Sequence, residues 1–220
     1  MDERALKLAV LISGRGSNLA AILHAIDAGR CSARVALVLS DRPDAAGLAL
    51  AHARGIASAV VRLQDHVDRG AWDSALASRA AEAEPELVVL AGFMRVLGPA
   101  FLARFPHHVI NVHPSLLPLF PGKSAPQDAI AAGMRVSGCS VHVVDSGVDT
   151  GPVIAQAAVP ILPGDHAEQL HARIQRVEHV LLPRVIDAIA RGQVALGPEL
   201  RVHAQADPDS TLYSLQENAD

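Results

Sequence analysis

A doubly wound, mostly parallel α/β sheet with flanking helices is the fold class this sequence predicts, and three observations predict it. Lys7 to Ile12 is a compact apolar run that meets Ser13-Gly14-Arg15-Gly16-Ser17-Asn18 and then the helix-forming Leu19-Ala20-Ala21-Ile22-Leu23, so the chain opens as strand, glycine turn and helix. Short runs that are apolar throughout recur downstream, as strands buried on both faces require. Between them lie segments with apolar residues at helical spacing.

Taken in order, the first helix ends near Gly29, and Arg34 to Ser40 is the second strand, through Val35-Ala36-Leu37-Val38-Leu39. Asp41 to Asp44 makes a turn, Ala45 to Arg54 a helix closed by Gly55, and Ala57 to Val61 the third strand. Gly70 to Ala83 is helical, its Trp72, Leu76 and Ala80 forming a packing stripe. Glu86 to Ala91 is the fourth strand, running into Gly92-Phe93-Met94-Arg95-Val96-Leu97-Gly98. A short helix at Ala100 to Arg104 precedes a strand over Val109 to Val112. Leu119 to Ser124 reads as a mobile loop, Ala125 to Ala132 as a helix, and Ser137 to Val144 and Val153 to Ile161 as strands. The longest helix, Asp165 to Arg191, buries Leu170, Ile174, Val177, Leu181, Val185 and Ile189, with a kink expected at Pro183. Residues 1–196 read as a single domain, and the polar stretch 197–220 as a tail, a short hairpin at most and then disorder.

Composition narrows the function. The net charge of −4, with no block of Lys and Arg, argues against nucleic acid as a partner. Apolar runs such as Leu87-Val88-Val89-Leu90 are too short to span a bilayer, and Met1-Asp2-Glu3 does not resemble a secretory signal, so a cytoplasmic protein without membrane contact is expected. Cys31 and Cys139 stand far apart, and His107, His108 and His113 lack ligand spacing, so no metal is expected. Small molecules remain as partners; monomer and homodimer are both open.

Three stretches carry chemistry. In Val109-Ile110-Asn111-Val112-His113-Pro114, side chains two apart share a strand face, so Asn111 can donate to a developing oxyanion beside His113, which can move a proton near neutral pH. A lone histidine at a strand end is more often structural, so other stretches have to support this reading. The turn at Gly16-Ser17-Asn18 opens a helix whose free amides suit a phosphate. It lacks the third glycine of a dinucleotide fingerprint, Leu19 standing there, and has no nucleotide-loop lysine; a plain strand-to-helix link is the alternative. Phe93 to Leu97, at a strand's carboxyl end, could line a crevice for a flat, partly anionic ligand, or simply pack. Asp149, in Asp145-Ser146-Gly147-Val148-Asp149-Thr150-Gly151-Pro152, would alone be read as turn chemistry, and Gln175 and Glu178 lie off the long helix's buried stripe, free for solvent or ligand.

Together, Ile12 to Leu19, Leu90 to Leu97, Asn111 to Pro118 and Val148 to Val153 closely resemble, in order and spacing, the folate-dependent phosphoribosylglycinamide formyltransferase family, over nearly the whole chain to about Gly192. The resemblance implies the Rossmann-like formyltransferase fold and transfer of a formyl group from 10-formyltetrahydrofolate, as co-substrate, to the glycyl amine of phosphoribosylglycinamide in purine synthesis. It implies Asn111, His113 and Asp149 as the catalytic trio, with Asp149 raising the imidazole pKa. Gly16, Ser17, Asn18, Gln175 and Glu178 would hold the ribonucleotide. Met94, Arg95, Val96, Leu97 and Val144 would line the folate pocket with Asn111 and Asp149, and Arg69 would approach the folate.

One departure stands out. Where the family usually carries histidines after Pro-Gly, this chain has Gly122-Lys123-Ser124-Ala125-Pro126-Gln127-Asp128, which bears on loop closure and resembles the corresponding loop of methionyl-tRNA formyltransferase. That enzyme shares the trio but adds a basic tRNA-binding domain. Formyltetrahydrofolate hydrolase, the other sharer, adds a regulatory domain before a first strand that here begins at about residue 6. A non-enzymatic folate or sugar-phosphate binder would need no proton-transfer group.

Overall fold

A computed structural model describes residues 5–202. The order is β1 (Leu6–Ile12), α1 (Ser17–Asp27), β2 (Ala33–Ser40), α2 (Gly47–Ala53), β3 (Ala57–Val60), α3 (Arg69–Ala81), β4 (Leu87–Leu90), α4 (Pro99–Arg104), β5 (Val109–His113), α5 (Ala125–Ala131), β6 (Val136–Val143), β7 (Val153–Pro160), α6 (Ala167–Ala190), β8 (Val194–Ala195) and β9 (Arg201–Val202).

Seven strands form one sheet in the order β3-β2-β1-β4-β5-β6-β7. From β3 through β5 the pairs are parallel, while β6 runs antiparallel to both β5 and β7. Central strands alternate strictly between two cores. Leu8, Val10 and Ile12 of β1 join Leu19 and Ile22 of α1 and Leu170 and Ile174 of α6 on one face. Ala9 and Leu11 join Trp72 and Leu76 of α3 and Phe101 of α4 on the other. Burial on both faces is why these runs are apolar throughout.

Helix ends have identifiable causes. Asp68 accepts from the Ala71 amide at 2.7 Å and starts α3. The His166 amide donates to Gln169 Oε1 at 2.9 Å and starts α6. The long helix runs through Pro183 as a single element. β8 and β9 form the short hairpin expected of the tail and carry regular structure past residue 196 to Val202; the disorder expected beyond it lies outside the described residues.

The winding positions the site. The chain leaves β1 toward β2 and β3, then returns across to β4 on the other side of β1. The connections after β1 and β4 therefore diverge, opening a crevice at the carboxyl ends of the strands.

Candidate active site

The crevice is a cavity of about 560 Å³, within the range of small-molecule sites. Its walls come from the 13–18 turn, the 91–97 segment, the end of β5, Gly122 and Lys123, His142 and Val144, the 145–149 loop, and His171, Gln175 and Glu178 of α6.

At one end α1 begins at Ser17, two residues earlier than its apolar pattern suggested. Gly16 precedes it with φ of 75°, and a Cβ there would lie 2.6 Å from Gly47 Cα. Glycine is thus required twice over, for backbone conformation and for the approach of the two chains. Gly16, Ser17 and Asn18 line the cavity where α1 begins, and the first amides of a helix suit an anion. Asn18 Nδ2 donates to Glu178 Oε2 at 3.3 Å, and its buried Oδ1 has no partner. Glu178 is likewise no surface residue, being 4% exposed. The α6 stripe left it aside because it faces the cleft rather than the apolar core. Burial pushes its carboxyl up to about 7, against the opposing pull of the Asn18 amide.

The 92–98 segment forms another wall. Met94 and Val96 are exposed at 59% and 45%, an apolar lip on the site. Arg95 lines the cavity, yet its Nε donates to Asp41 Oδ2 at 2.8 Å, so much of its charge is met within the protein. Arg69 does not line the cavity; its guanidinium reaches only the back of this wall, donating to the Val96 carbonyl at 2.7 Å. The segment is anchored by Asp73 of α3, whose buried carboxylate accepts from the Gly98 and Phe101 amides at 2.6 and 2.9 Å.

Between these walls stands the trio. Asn111 and His113 share a face of β5, and β6 lays His142 opposite Asn111. The 145–149 loop returns Asp149, at φ of 55°, to the same point. Its Oδ2 lies 3.4 Å from His113 Nδ1, and its Oδ1 lies 3.4 Å from Asn111 Nδ2 and 3.6 Å from His142 Nε2. Burial works to raise the Asp149 carboxyl; contacts with His142, the Gly122 amide and the two imidazoles outweigh it and hold it at about 2. Asp149 is therefore an anion at neutral pH.

Hydrogen bonds assign the rings. His113 Nε2 sits 2.9 Å from the Phe120 carbonyl, which can only accept, so that nitrogen carries a hydrogen. His142 Nδ1 sits 3.0 Å from the Val143 carbonyl, and its Nε2 lies 3.2 Å from Asn111 Nδ2 and 3.6 Å from Asp149 Oδ1. Asn111 Nδ2 thus meets both His142 and, by the longer contact, Asp149. The proline-glycine loop reaches the trio here as well: Phe120 meets His113, and the Gly122 amide donates to Asp149 Oδ2 at 2.8 Å.

Every residue expected in the site lines this cavity except Arg69. Sequence reading missed His142 and Asp41. Strand alternation placed His142 on the face of Ser140, but nothing local showed that this face would meet Asn111. Asp41 read as a turn residue. Among the described residues no group of three or more His, Cys, Asp or Glu could hold a metal ion, and no helix is long and apolar enough to cross a membrane.

Comparison with known proteins places this geometry. The formyl transferase family profile matches residues 6–186. Phosphoribosylglycinamide formyltransferase of Mycobacterium tuberculosis is 48% identical over 184 residues, 84% of this chain and 85% of that protein. The trifunctional purine biosynthetic protein adenosine-3 of Drosophila melanogaster is 43% identical over 91% of the chain, which spans 15% of that much longer protein. The crystal structure of glycinamide ribonucleotide transformylase 1 from Symbiobacterium toebii superposes with a TM-score of 0.88 at 43% identity, covering 91% of this chain and 95% of that one. An acid-imidazole-amide cluster beside an anion seat, on a fold shared along nearly its whole length, has one reading: the chain belongs to the formyl transferase family, among its phosphoribosylglycinamide formyltransferases.

Proposed function

We propose that this enzyme draws its formyl group from 10-formyltetrahydrofolate and that Asn111, His113 and Asp149 carry the transfer to the glycyl amine of the ribonucleotide. The observation that carries the reading is the meeting of these three side chains, from β5 and the loop before β7, within 3.4 Å contacts between two dissimilar walls. The ribonucleotide phosphate belongs at the first amides of α1, with Gly16, Ser17 and Asn18. Glu178 and Gln175 face the same end and suit the sugar. The pterin belongs against Met94, Arg95, Val96, Leu97 and Val144, where the exposed apolar side chains of Met94 and Val96 suit a flat heterocycle. Arg69 acts on this wall through Val96, not on the folate directly.

In this arrangement the amine nitrogen attacks the formyl carbon, and the carbonyl oxygen becomes negative. His113 gives up one of its resting contacts and donates a ring N–H to that oxygen. Asn111 exchanges its long contact to Asp149 for a bond to the same oxygen; catalytic hydrogen bonds commonly tighten only with substrate present. The proton lost by the attacking nitrogen passes to the departing folate nitrogen, with Asp149 and His113 as its carriers, as the carbon–nitrogen bond to folate breaks. Products are the formylated amide and tetrahydrofolate.

Single-turnover rates test the roles. Asn111→Ala and Asp149→Asn are expected to slow the chemical step by about 10²–10³-fold, with both substrates still bound by calorimetry. Chemical steps within tenfold of wild type in both variants would remove the trio from the reaction.

A further inference from the structure

Asp41, the first residue after β2, lies outside the cavity wall yet ties together the two loops that form it. Its carboxylate is 2% exposed. Oδ1 accepts from the Ser13 hydroxyl at 2.6 Å, and Oδ2 accepts from Arg95 Nε at 2.8 Å. The Ser13 hydroxyl oxygen in turn accepts from the Met94 amide at 2.8 Å. Backbone continues the link, the Ser13 amide donating to the Gly92 carbonyl at 3.1 Å. Ser13 begins the turn that ends at the anion seat, while Met94 and Arg95 form the opposite wall. Parallel winding forces these loops apart at the switch point, so their separation is set by whatever spans it. A buried carboxylate with both oxygens in short charge-assisted or hydroxyl bonds is a stiff spacer.

We propose that Asp41 is a positioning residue that sets the distance and orientation between the ribonucleotide seat and the folate wall. It touches neither substrate; it acts through Ser13 on one and through Arg95 on the other. This rests on the assignment of the two walls made above. Without Asp41, Ser13 loses its acceptor, and an unpaired Arg95 guanidinium is free to turn into the cavity.

The experiment is steady-state kinetics with each substrate varied in turn, on wild type, Asp41→Ala, Asp41→Asn and Arg95→Met, beside thermal melts. Asp41→Ala is expected to raise the KM for both substrates, each by about tenfold, the size of losing a hydrogen bond to a charged group. Arg95→Met is expected to raise the folate KM alone. Asp41→Asn retains an acceptor for Ser13 but not the charge facing Arg95, so it should raise the folate KM about fivefold or more while the ribonucleotide KM stays within threefold. A purely structural role would lower the melting temperature and leave both KM values of the folded enzyme unchanged. Values within twofold of wild type in Asp41→Ala, or an increase for one substrate only, overturn the proposal; should Asp41→Ala not fold, unchanged KM values in Asp41→Asn do so. A wild type that transfers no formyl group would overturn the site assignment, which separates the two failures.

Discussion

Glu178 is where a single residue exposes the cost of building a polar cleft. Its carboxyl rises to about 7 because it is enclosed beside Asn18. A raised folded-state value contributes stability that is complete below the ordinary value near 4.5 and is lost as pH climbs through about 7. Asp149 has the opposite sign: held at about 2, it contributes stability present above the ordinary value of 3.8 and lost as pH falls through about 2. Glu178→Gln is therefore expected to flatten the stability curve between pH 4.5 and 7 and to be more stable than wild type at pH 8, by up to about 3 kcal/mol. Chemical denaturation at pH 5 and pH 8 checks this, and an equal difference at both values would contradict it. The same scale shows what sequence could not supply. Asn111 and His113 were legible because they are two apart on one strand. His142 was not, because its role depends on β6 lying antiparallel to β5 in one register, a pairing that no local pattern encodes.

At the scale of elements, periodicity was informative about cores and weak about edges. Every main strand and helix was expected within a few residues, since burial on both faces leaves apolar runs that turns must interrupt. The start of α1 shifted because Ser17 and Asn18 are polar, yet they belong to the helix. Gly16 is the hinge of that element. Gly16→Ala forces an alanine into φ of 75° and drives its Cβ into Gly47. The left-handed backbone alone costs about 1–2 kcal/mol. The variant should bind the ribonucleotide at least about tenfold more weakly, through displaced amides, with folate affinity nearly unchanged. Calorimetric titration of each ligand decides it: parallel losses for both would mean the whole cleft had shifted instead. In the proline-glycine loop, long-range bonds from Phe120 to His113 and from Gly122 to Asp149 place it against the trio, and bonds of that kind leave no trace in local sequence.

Across the molecule, the site exists because the winding order reverses beside β1. Residues separated by more than a hundred positions, from Gly16 to Glu178, are gathered around a single cavity at the carboxyl edge of the sheet. The resemblance carried by four short motifs made that gathering legible in outline, since their order and spacing reflect the same topology. The spacer role of Asp41 was hidden, because a turn aspartate is common and its partners lie 28 and 54 residues away. The central claim is that this assembled cleft performs transfer to an amine, and consumption of 10-formyltetrahydrofolate with and without phosphoribosylglycinamide tests it most directly. The account predicts donor loss matched by formylated ribonucleotide only when the amine is present, and a rate reduced by about 10²–10⁴-fold in His113→Ala. Donor loss at the same rate without the amine would show a hydrolase, and no loss despite tight folate binding would show a binding protein; either result would contradict it.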